Sequence, residues 1–344
     1  MLSITDDVYD NIQGRPVHLF TLRNDQIDLT LTNLGASVRT LWVPDREGLR
    51  GNVVAGYEDI RHYEDNPNYL GCVVGRYVNR IGRGRFVLDG VSYQLTQNEG
   101  TNHLHGGFGG FHKQVWTFKE IVRAADEVGV VMEYISRDGE EGYPGNLCVT
   151  VRYVLTADNR LCLSYTAGAD KRTPVNLSNH SYFNLSGFVN PFVNDHLLQI
   201  HAHRYSEKNG FNLPTGIVRE VRGTPLDFSE PERIGRHIGA FPQDLGFDHN
   251  YVLEREGLAA SLYDPASGRR LRVYTDQPCI QVYTANWWDG SVHGTQGAPY
   301  LRHGAVALET QSYPDGPNQP AFPSTILDPG DVYRSTTIFQ FDTP

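Results

Sequence analysis

Apolar and polar residues alternate along much of the chain with a repeat of two residues. Ile27, Leu29 and Leu31 alternate with Asp28 and the threonines that follow it, and the segment from residue 147 to residue 155 shows the same pattern. A repeat of two places successive side chains on opposite faces of a β-strand, so one face can be buried while the other meets water. The pattern therefore predicts half-buried antiparallel strands, with further ones over residues 160–166, 271–275, 280–284, 305–310 and 333–341.

Helical periodicity is nearly absent. The segment Ser229–Gly235 predicts one short helix with Ser229 as its N-cap, and turn clusters such as Asp328-Pro-Gly330 separate the strands. No internal repeat or linker-like stretch divides the chain. We expect an all-β fold, a large antiparallel β-sandwich that forms a single domain over residues 1–344, whose loops gather polar residues in a groove.

The charge and composition narrow the class of partner. Hydrophobic residues make up 39% of the 344 residues, and the formal net charge is −10. Nucleic acids and anionic membranes are bound through surplus Lys and Arg, so neither is expected as a partner. The segment Met1–Val8 lacks a signal-peptide pattern and no stretch approaches the ~20 apolar residues of a membrane span, which predicts a cytoplasmic protein.

The cysteines do not indicate a metal or disulfide framework. Cys72, Cys148, Cys162 and Cys279 are far apart in the sequence and form no C-x-x-C pair. We expect all four to be buried thiols.

Three titratable residues stand in polar or aromatic-flanked segments. His105 lies in Asn102-His-Leu-His-Gly-Gly107, His180 lies among Asn and Ser residues between Asn176 and Leu185, and Glu309 follows an apolar strand that we expect to end there. Histidine and carboxylate exchange protons near neutral pH, so the set suits a reaction that moves protons without transferring a group. On local sequence alone, a surface turn, a structural histidine and a strand-end glutamate remain alternatives.

Other residues are candidates for binding hydroxyl groups. Arg80 can donate hydrogen bonds and Asp248 can accept them, although either could be part of a structural ion pair. Gln281 and the pair Trp287-Trp288 add amphipathic surface for a sugar ring. The pairs His103 with His105 and His201 with His203 could share a metal, but neither has a third ligand in view, so no metal is expected.

Taken together, the motifs resemble those of the galactose mutarotase, or aldose 1-epimerase, family over nearly the full length. They include Leu31-Thr-Asn-Leu-Gly-Ala36, Gly75-Arg-Tyr-Val-Asn-Arg-Ile81, Asn102-His-Leu-His-Gly-Gly107, Gly142-Tyr-Pro-Gly145, Phe247-Asp-His-Asn250, Gln281-Val-Tyr-Thr284 and Leu308-Glu-Thr-Gln311. The resemblance implies a β-supersandwich that interconverts the α and β anomers of free aldoses without a cofactor.

The resemblance also implies site roles. Glu309 would be the general base and His180 the general acid, and the substrate-binding positions would be His105, Asn79, Arg80, Asp248 and Gln281. Tyr77 is bulkier than the family pattern, and Trp287-Trp288 is more aromatic. Both departures bear on sugar preference rather than on the type of reaction.

Ordinary pKa values, ~4.3 for Glu and ~6.5 for His, would let carboxylate and imidazolium coexist at mildly acidic pH, which predicts a bell-shaped rate profile. Three other functions are open at this stage: a sugar-binding module without turnover, a glycoside hydrolase that uses Asp248 and Glu309, and an epimerase of phosphorylated sugars. The preferred partner is a small aldose, and the chain could be a monomer or a homodimer.

Overall fold

The structure, a computed structural model, describes residues 1–12, 14–254 and 256–344. Its strands, in chain order, are β1 (Ser3–Ile12), β2 (Arg15–Arg23), β3 (Asp28–Thr32), β4 (Ser37–Pro44), β5 (Arg50–Asn52), β6 (Val73–Val74), β7 (Arg80–Ile81), β8 (Arg85–Leu88), β9 (Val91–Gln94), β10 (His103–Leu104), β11 (Thr117–Arg123), β12 (Glu127–Ser136), β13 (Leu147–Thr156), β14 (Arg160–Ala169), β15 (Thr173–Pro174), β16 (Ser178–Asn179), β17 (Tyr182–Phe183), β18 (Leu197–Ile200), β19 (Arg204–Lys208), β20 (Pro214–Glu220), β21 (Glu232–Arg233), β22 (Asp248–Val252), β23 (Gly257–Tyr263), β24 (Arg270–Thr275), β25 (Cys279–Tyr283), β26 (Asp289–His293), β27 (Pro299–Leu301), β28 (Val306–Gln311), β29 (Ile326–Leu327) and β30 (Tyr333–Asp342).

Among the described residues, the helical segments are all short 3-10 turns. They are Ile60–Glu64, Gly82–Gly84, Phe111–Lys113, Glu140–Gly142, Ile234–Arg236, Ile238–Ala240 and Gly316–Asn318. None of the helical segments among the described residues has the length and apolar character needed to cross a membrane.

Three large sheets organise the strands. A 9-stranded sheet has the order β11-β12-β13-β14-β30-β24-β23-β18-β21, a 6-stranded sheet the order β17-β28-β25-β22-β19-β20, and a 5-stranded sheet the order β1-β2-β3-β4-β5. Neighbouring strands in these sheets pair antiparallel. The all-β, antiparallel prediction is confirmed, and each strand predicted from alternation coincides with an observed strand to within a few residues.

The main core lies between the 9-stranded and 6-stranded sheets. Phe183 on β17 packs edge-on against Phe339 on β30, with ring centroids 5.2 Å apart. The hydroxyls of Thr310 and Thr337 meet across the same interface at 2.5 Å. Leu308 also faces this core and is buried. The predicted sandwich is therefore confirmed, and burial of these apolar faces supplies the main driving force for folding.

The predicted helix at Ser229–Gly235 is wrong. Glu232 and Arg233 form β21, which pairs with β18 at the edge of the 9-stranded sheet, and two 3-10 turns follow. Ser229 caps no helix, because its hydroxyl donates to the Asp227 carboxylate at 2.6 Å. A free sheet edge offered hydrogen bonds that local helix propensity could not outweigh.

The prediction of buried cysteines holds for only two of the four. Cys72 and Cys279 are buried, whereas Cys148 is exposed and Cys162 is partly exposed. Cys148 occupies an outward position in the alternation of β13, and this strand's inward positions are the ones that carry its core side chains.

Candidate active site

The outer face of the 6-stranded sheet carries a row of polar side chains. Glu309 on β28 lies opposite Gln281 on β25, and Gln281 lies opposite Asn250 on β22. Asp248, two residues before Asn250, shares that face because strand side chains alternate. The row points away from the core of the sandwich, so polar groups lie there without disrupting it.

The sequence had indicated that Glu309 lies at the end of its strand, and this prediction is wrong. The β25–β28 ladder continues through Gln311, so Glu309 lies inside a paired strand with 2% of its surface exposed. Pairing with β25 continues at the residues before and after Glu309, which fixes the position of its carboxyl. Positions of this kind hold catalytic groups more rigidly than loops do.

His180 lies between β16 and β17 and is held by its backbone. Its N–H donates to the Cys72 carbonyl at 2.9 Å, and its own carbonyl accepts from Gly71 at 3.0 Å. The neighbouring Asn179 amide donates to the Gly71 carbonyl at 2.8 Å, and its oxygen accepts from the Ser181 hydroxyl. These polar neighbours orient the imidazole indirectly, because they stabilise the backbone around it.

Asn79 and His105 are linked by two reciprocal hydrogen bonds. The Asn79 N–H donates to Nδ1 of His105 at 3.2 Å, and the His105 N–H donates to the Asn79 carbonyl at 3.1 Å. Both residues have positive φ, 64° and 52°, a conformation that non-glycine residues adopt mainly where the surrounding structure enforces it. Burial holds the pKa of His105 well below its usual range. The neutral ring therefore keeps its proton on Nε2 and acts there as a donor.

The glycines after His105 serve the protein backbone rather than a ligand. A Cβ on Gly106 would lie 1.7 Å from the Gly75 carbonyl oxygen, so only glycine fits there. Glycines can also let the backbone approach a ligand closely, but the close neighbour of Gly106 is the chain itself.

These elements enclose a pocket of about 190 Å³. That volume is below the roughly 300–1,000 Å³ typical of pockets for drug-sized ligands, so the pocket suits a molecule as small as a monosaccharide. All seven site residues expected from the sequence line it, and the full lining is Pro67, Asn68, Tyr69, Asn79, Arg80, Glu99, Leu104, His105, His180, Tyr182, Asp248, Gln281, Tyr283, Trp287 and Glu309.

His180 and Glu309 face each other at the floor of the pocket. Nε2 of His180 is 3.5 Å from Oε1 of Glu309, and both side chains are 3% exposed. This separation couples the two groups electrostatically but is long for a hydrogen bond. Burial lowers the pKa of His180 to about 4. Burial, reinforced by the negative charge of Asp248, raises the pKa of Glu309 to about 8 against an opposing effect of Arg80.

The expectation that ordinary pKa values govern this pair is therefore wrong. With these shifts the pair holds one proton at neutral pH, which resides on Glu309 while His180 is neutral. Both shifts have the same origin, since each charged form loses its hydration in the buried site.

A network of ions fixes the remaining polar wall. Arg80 donates to Glu99 through Nε and Nη2, at 2.8 Å and 2.6 Å, and its Nη1 lies 3.6 Å from Oδ2 of Asp248. The other Asp248 oxygen accepts from the Gln281 amide at 2.5 Å. Burial alone would raise the pKa of Asp248, but Lys208 and Arg80 outweigh it and hold that pKa below its usual range. Asp248 is thus a fixed anion.

Several polar atoms at the pocket have no partner. The acceptors Oε2 of Glu309 and Oε1 of Gln281 are buried without a hydrogen bond to any other part of the chain that the structure describes, and so is Nδ1 of His180. Buried acceptors are normally satisfied, so a cluster of unpaired ones in a pocket indicates a ligand that brings donors. A polyol supplies several hydroxyl donors at once.

Sequence reasoning missed Glu99 and the aromatic residues around the histidines. The ring of Tyr69 lies 4.7 Å from that of His105, and the ring of Tyr182 lies 4.7 Å from that of His180. Tyr69 stands in an undistinguished polar segment, and Glu99 in a turn-like one, so neither carries a local signal. Their positions depend on long-range packing.

Tyr77 and the pair Trp287-Trp288, which differ from the family pattern, have different positions relative to the pocket. Tyr77 is fully buried away from the pocket lining, and its hydroxyl donates to the Tyr313 carbonyl at 2.9 Å. Trp288 packs against Tyr182 and Tyr300, whereas Trp287 lines the pocket. Only Trp287 therefore bears directly on the site.

His105, His180 and Glu309 are close enough to be considered as metal ligands, with candidate atoms all within 4.8 Å of one another. The hydrogen bond from Asn79 leaves the proton of His105 on Nε2, so that nitrogen offers no lone pair to a cation. His103 lies outside this group, and its Nε2 meets the Tyr143 hydroxyl at 2.8 Å. The trio fits proton transfer better than metal binding.

Comparisons with known proteins agree with the geometry. The family model described as aldose 1-epimerase matches residues 18–340. Galactose mutarotase from Homo sapiens is 42% identical over 346 residues, covering 99% of both chains. Aldose 1-epimerase from Escherichia coli K12 is 37% identical, covering 95% of this chain and 96% of that one.

Solved structures show the same architecture. Galactose 1-epimerase from Lactobacillus acidophilus NCFM superposes with a TM-score of 0.88 at 27% identity, covering 99% of each chain. An aldose epimerase homologue from C. elegans superposes with a TM-score of 0.85 at 29% identity, covering 93% of this chain and 97% of that one.

The all-β fold and these matches identify an isomerase that acts on carbohydrates. The chain belongs to the aldose 1-epimerase family.

Proposed function

We propose that this protein catalyses the mutarotation of free aldoses such as galactose and glucose, with Glu309 as general base and His180 as general acid. The observation that carries the proposal is the buried, facing pair at the floor of a pocket whose acceptors lack partners. His105, Asn79, Arg80, Asp248 and Gln281 bind the sugar.

The reaction moves two protons and breaks one ring bond. Glu309 takes the proton of the C1 hydroxyl as the C1 carbonyl forms, the bond between C1 and the ring oxygen breaks, and His180 protonates that oxygen. Rotation about the C1–C2 bond then presents the other face of the aldehyde. The ring oxygen attacks C1 again, His180 recovers its proton, and Glu309 returns its proton to the new C1 hydroxyl. No atom is exchanged overall.

The shifted pKa values supply the proton count that this cycle needs. Between about pH 4 and about pH 8 the pair holds one proton, which the reaction requires on His180. A sugar hydroxyl that donates to the unpaired Oε2 of Glu309 stabilises the carboxylate and lowers the pKa of Glu309 from about 8. Substrate binding thus transfers the proton from Glu309 to His180, which lies 3.5 Å away.

The binding residues divide into donors and acceptors. His105 presents Nε2–H, Arg80 presents its guanidinium, and Asp248 and the free oxygen of Gln281 accept. A hydroxyl can both donate and accept, so this alternation matches the edge of an aldose. The Asn79 side chain is oriented for binding, since its oxygen accepts from the Arg80 N–H at 2.9 Å.

Two rival functions have less support from the pocket. A glycoside hydrolase would need a free second carboxylate, yet both oxygens of Asp248 face partners, Gln281 and Arg80. A sugar phosphate would need spare positive charge. Among the described residues that line the pocket, Arg80 is the only Lys or Arg, and it is already paired with Glu99 and Asp248.

Polarimetry of freshly dissolved α-D-galactose and α-D-glucose tests the proposal. Wild-type protein should accelerate the decay of optical rotation, and Glu309→Gln should remove most of the acceleration. Lys119→Gln, a change on an exposed strand position, is the matched surface control and should behave as wild type. Decay at the spontaneous rate with wild-type protein would favour a binding module instead.

We also propose that the chain forms a single domain and acts in the cytoplasm. Continuity of the sandwich core supports the single domain. A monomer and a homodimer both fit a site built from one chain.

A further inference from the structure

Trp287 is the most exposed of the aromatic residues that line the pocket, and the catalytic cycle does not use it. It is 67% exposed, yet it lines the pocket together with Pro67, Asn68 and Tyr283. A single exposed apolar side chain is common on protein surfaces and needs no explanation by itself. Its position at a pocket with a polar floor is what requires one.

The chain around Trp287 is held firmly. Asn286 is fully buried, accepts from the Thr284 hydroxyl and donates to the Phe247 carbonyl at 3.0 Å. On the other side, Trp288 is 5% exposed and packs against Tyr182 at 4.8 Å between ring centroids. The exposed indole of Trp287 thus lies between two buried residues, Asn286 and Trp288, that fix the backbone on either side of it.

The hydroxyl-binding side chains and Trp287 lie on different parts of the chain. The hydroxyl-binding side chains come from β7, β22, β25, β28 and the segment containing His105, whereas Trp287 follows the end of β25 at the mouth. A pyranose has the same division, since its hydroxyls lie around the rim and its C–H bonds form an apolar face. Aromatic rings offer a flat apolar surface of matching size.

We propose that Trp287 is a sugar-stacking residue, whose indole covers the apolar C–H face of the bound pyranose while the polar side chains bind its hydroxyls. This inference rests on the proposed function, because it takes the same pocket to hold the aldose. Trp287 contributes to affinity and to closing the mouth against water, and it takes no part in proton transfer.

Kinetics with α-D-galactose test the role directly. Trp287→Ala should raise KM about 5- to 20-fold, the effect of losing part of an aromatic contact area, with a smaller fall in kcat. Trp287→Phe should recover most of the loss, since a phenyl ring keeps the flat apolar surface. Tyr9→Ala removes an exposed aromatic residue on β1 and serves as the matched control with wild-type kinetics.

Intrinsic fluorescence supplies a readout independent of turnover. Galactose should shift the emission of the wild-type protein to shorter wavelength, because the exposed indole moves from water to a sugar face. Trp287→Phe should abolish the shift and Trp42→Phe should retain it, since Trp42 does not line the pocket. Glu309→Gln should also retain the shift, because it removes the base but not the stacking surface.

The outcomes separate the two claims. A wild-type KM for Trp287→Ala together with an unchanged emission shift in Trp287→Phe, in a protein that is active by polarimetry, would overturn the stacking role alone. An emission shift that depends on Trp287, in a wild-type protein without mutarotation activity, would support stacking while the proposed function failed.

Discussion

At the scale of single residues, environment assigns opposite roles to two carboxyl groups on one sheet face. Asp248 lies near Lys208 and Arg80, which hold its pKa low, so it is a permanent anion. Glu309 is buried without a cationic partner of its own, and its pKa rises to about 8. One group can therefore bind hydroxyls while the other exchanges protons near neutral pH.

The pH profile of kcat/KM should be bell-shaped, because this ratio reports ionisations of the free enzyme. Activity requires one proton on the pair. It should fall on the acid side near pH 4, where His180 and Glu309 are both protonated, and on the alkaline side near pH 8, where both are deprotonated. Initial rates by polarimetry over this range give the two limbs, and a flat profile would contradict the pair.

Replacing Asp248 by Asn should move the alkaline limb to lower pH. The negative charge of Asp248 raises the pKa of Glu309, so its removal lets Glu309 lose its proton more readily. KM should also rise, since a hydroxyl acceptor is lost. Asp244→Asn, which alters the ion pair of Lys208 outside the pocket lining, is a useful comparison. An alkaline limb that stays in place in Asp248→Asn would show that this charge does not act on Glu309.

Motifs in the sequence identified the residues that converge on the pocket, but not their surroundings. His180, Glu309 and Gln281 stand in segments with a distinctive local order, so they could be named in advance. Glu99 and Tyr69 could not, because their importance comes from contacts with Arg80 and His105 that only the folded chain creates. The size and direction of the pKa shifts likewise depend on burial, which the sequence does not give.

At the scale of elements, alternation in β28 separates the core from the chemistry. Leu308 faces the sandwich interior while Glu309 faces the pocket, and the same division holds for Val282 and Gln281 on β25. This period-two pattern was readable from the sequence. The edge strand at Glu232–Arg233 was not, since its pairing with β18 is a long-range event.

The segment after β28, residues 312–316, is hydrogen-bonded to β7, the strand that carries Arg80, and to Tyr77 before it. The Tyr77 hydroxyl donates to the Tyr313 carbonyl and accepts from the Gly316 N–H at 3.0 Å, and the Asp315 N–H donates to the Arg80 carbonyl at 2.8 Å. Asp315 has φ of 55°, and the Gly82 N–H donates to its carboxylate, so Asp315 is a turn residue that links this segment to the residues after β7.

Tyr77→Phe should destabilise the protein by about 1–3 kcal/mol, because it leaves two buried backbone groups unpaired. KM should rise as well, since the segment that supports Arg80 loosens. Urea denaturation and polarimetry measure the two effects, with Tyr9→Phe on the exposed strand β1 as the control. Equal stability of Tyr77→Phe and wild type would show that this hydroxyl does not fasten the segment.

At the scale of the whole molecule, the catalytic pair reduces stability at both ends of the pH range. The pKa of Glu309 is raised in the folded state, so its contribution is fully present below about pH 4.3, the unfolded value, and is lost as pH rises toward 8. The pKa of His180 is lowered, so stability falls as pH drops from about 6.5, the unfolded value, toward 4. Site function thus opposes fold stability.

Glu309→Gln should therefore be more stable than wild type at pH 8, by a few degrees in Tm, and the advantage should shrink toward pH 5. The amide cannot ionise, so it avoids the cost of a buried charge. Thermal unfolding at the two pH values gives the comparison, and Glu58→Gln on the exposed surface corrects for the general loss of one negative charge. A pH-independent difference would contradict the raised pKa.

The central claim is that Glu309 and His180 act as one proton-transfer unit in mutarotation. The most direct measurement is the polarimetric kcat for α-D-galactose of wild type, Glu309→Gln, His180→Asn and the double variant. Each single change should lower kcat roughly 10²–10⁴-fold. The double variant should be little slower than the slower single one, because removing either member disables the unit. Near wild-type kcat in either single variant, or losses that simply multiply in the double one, would contradict the account.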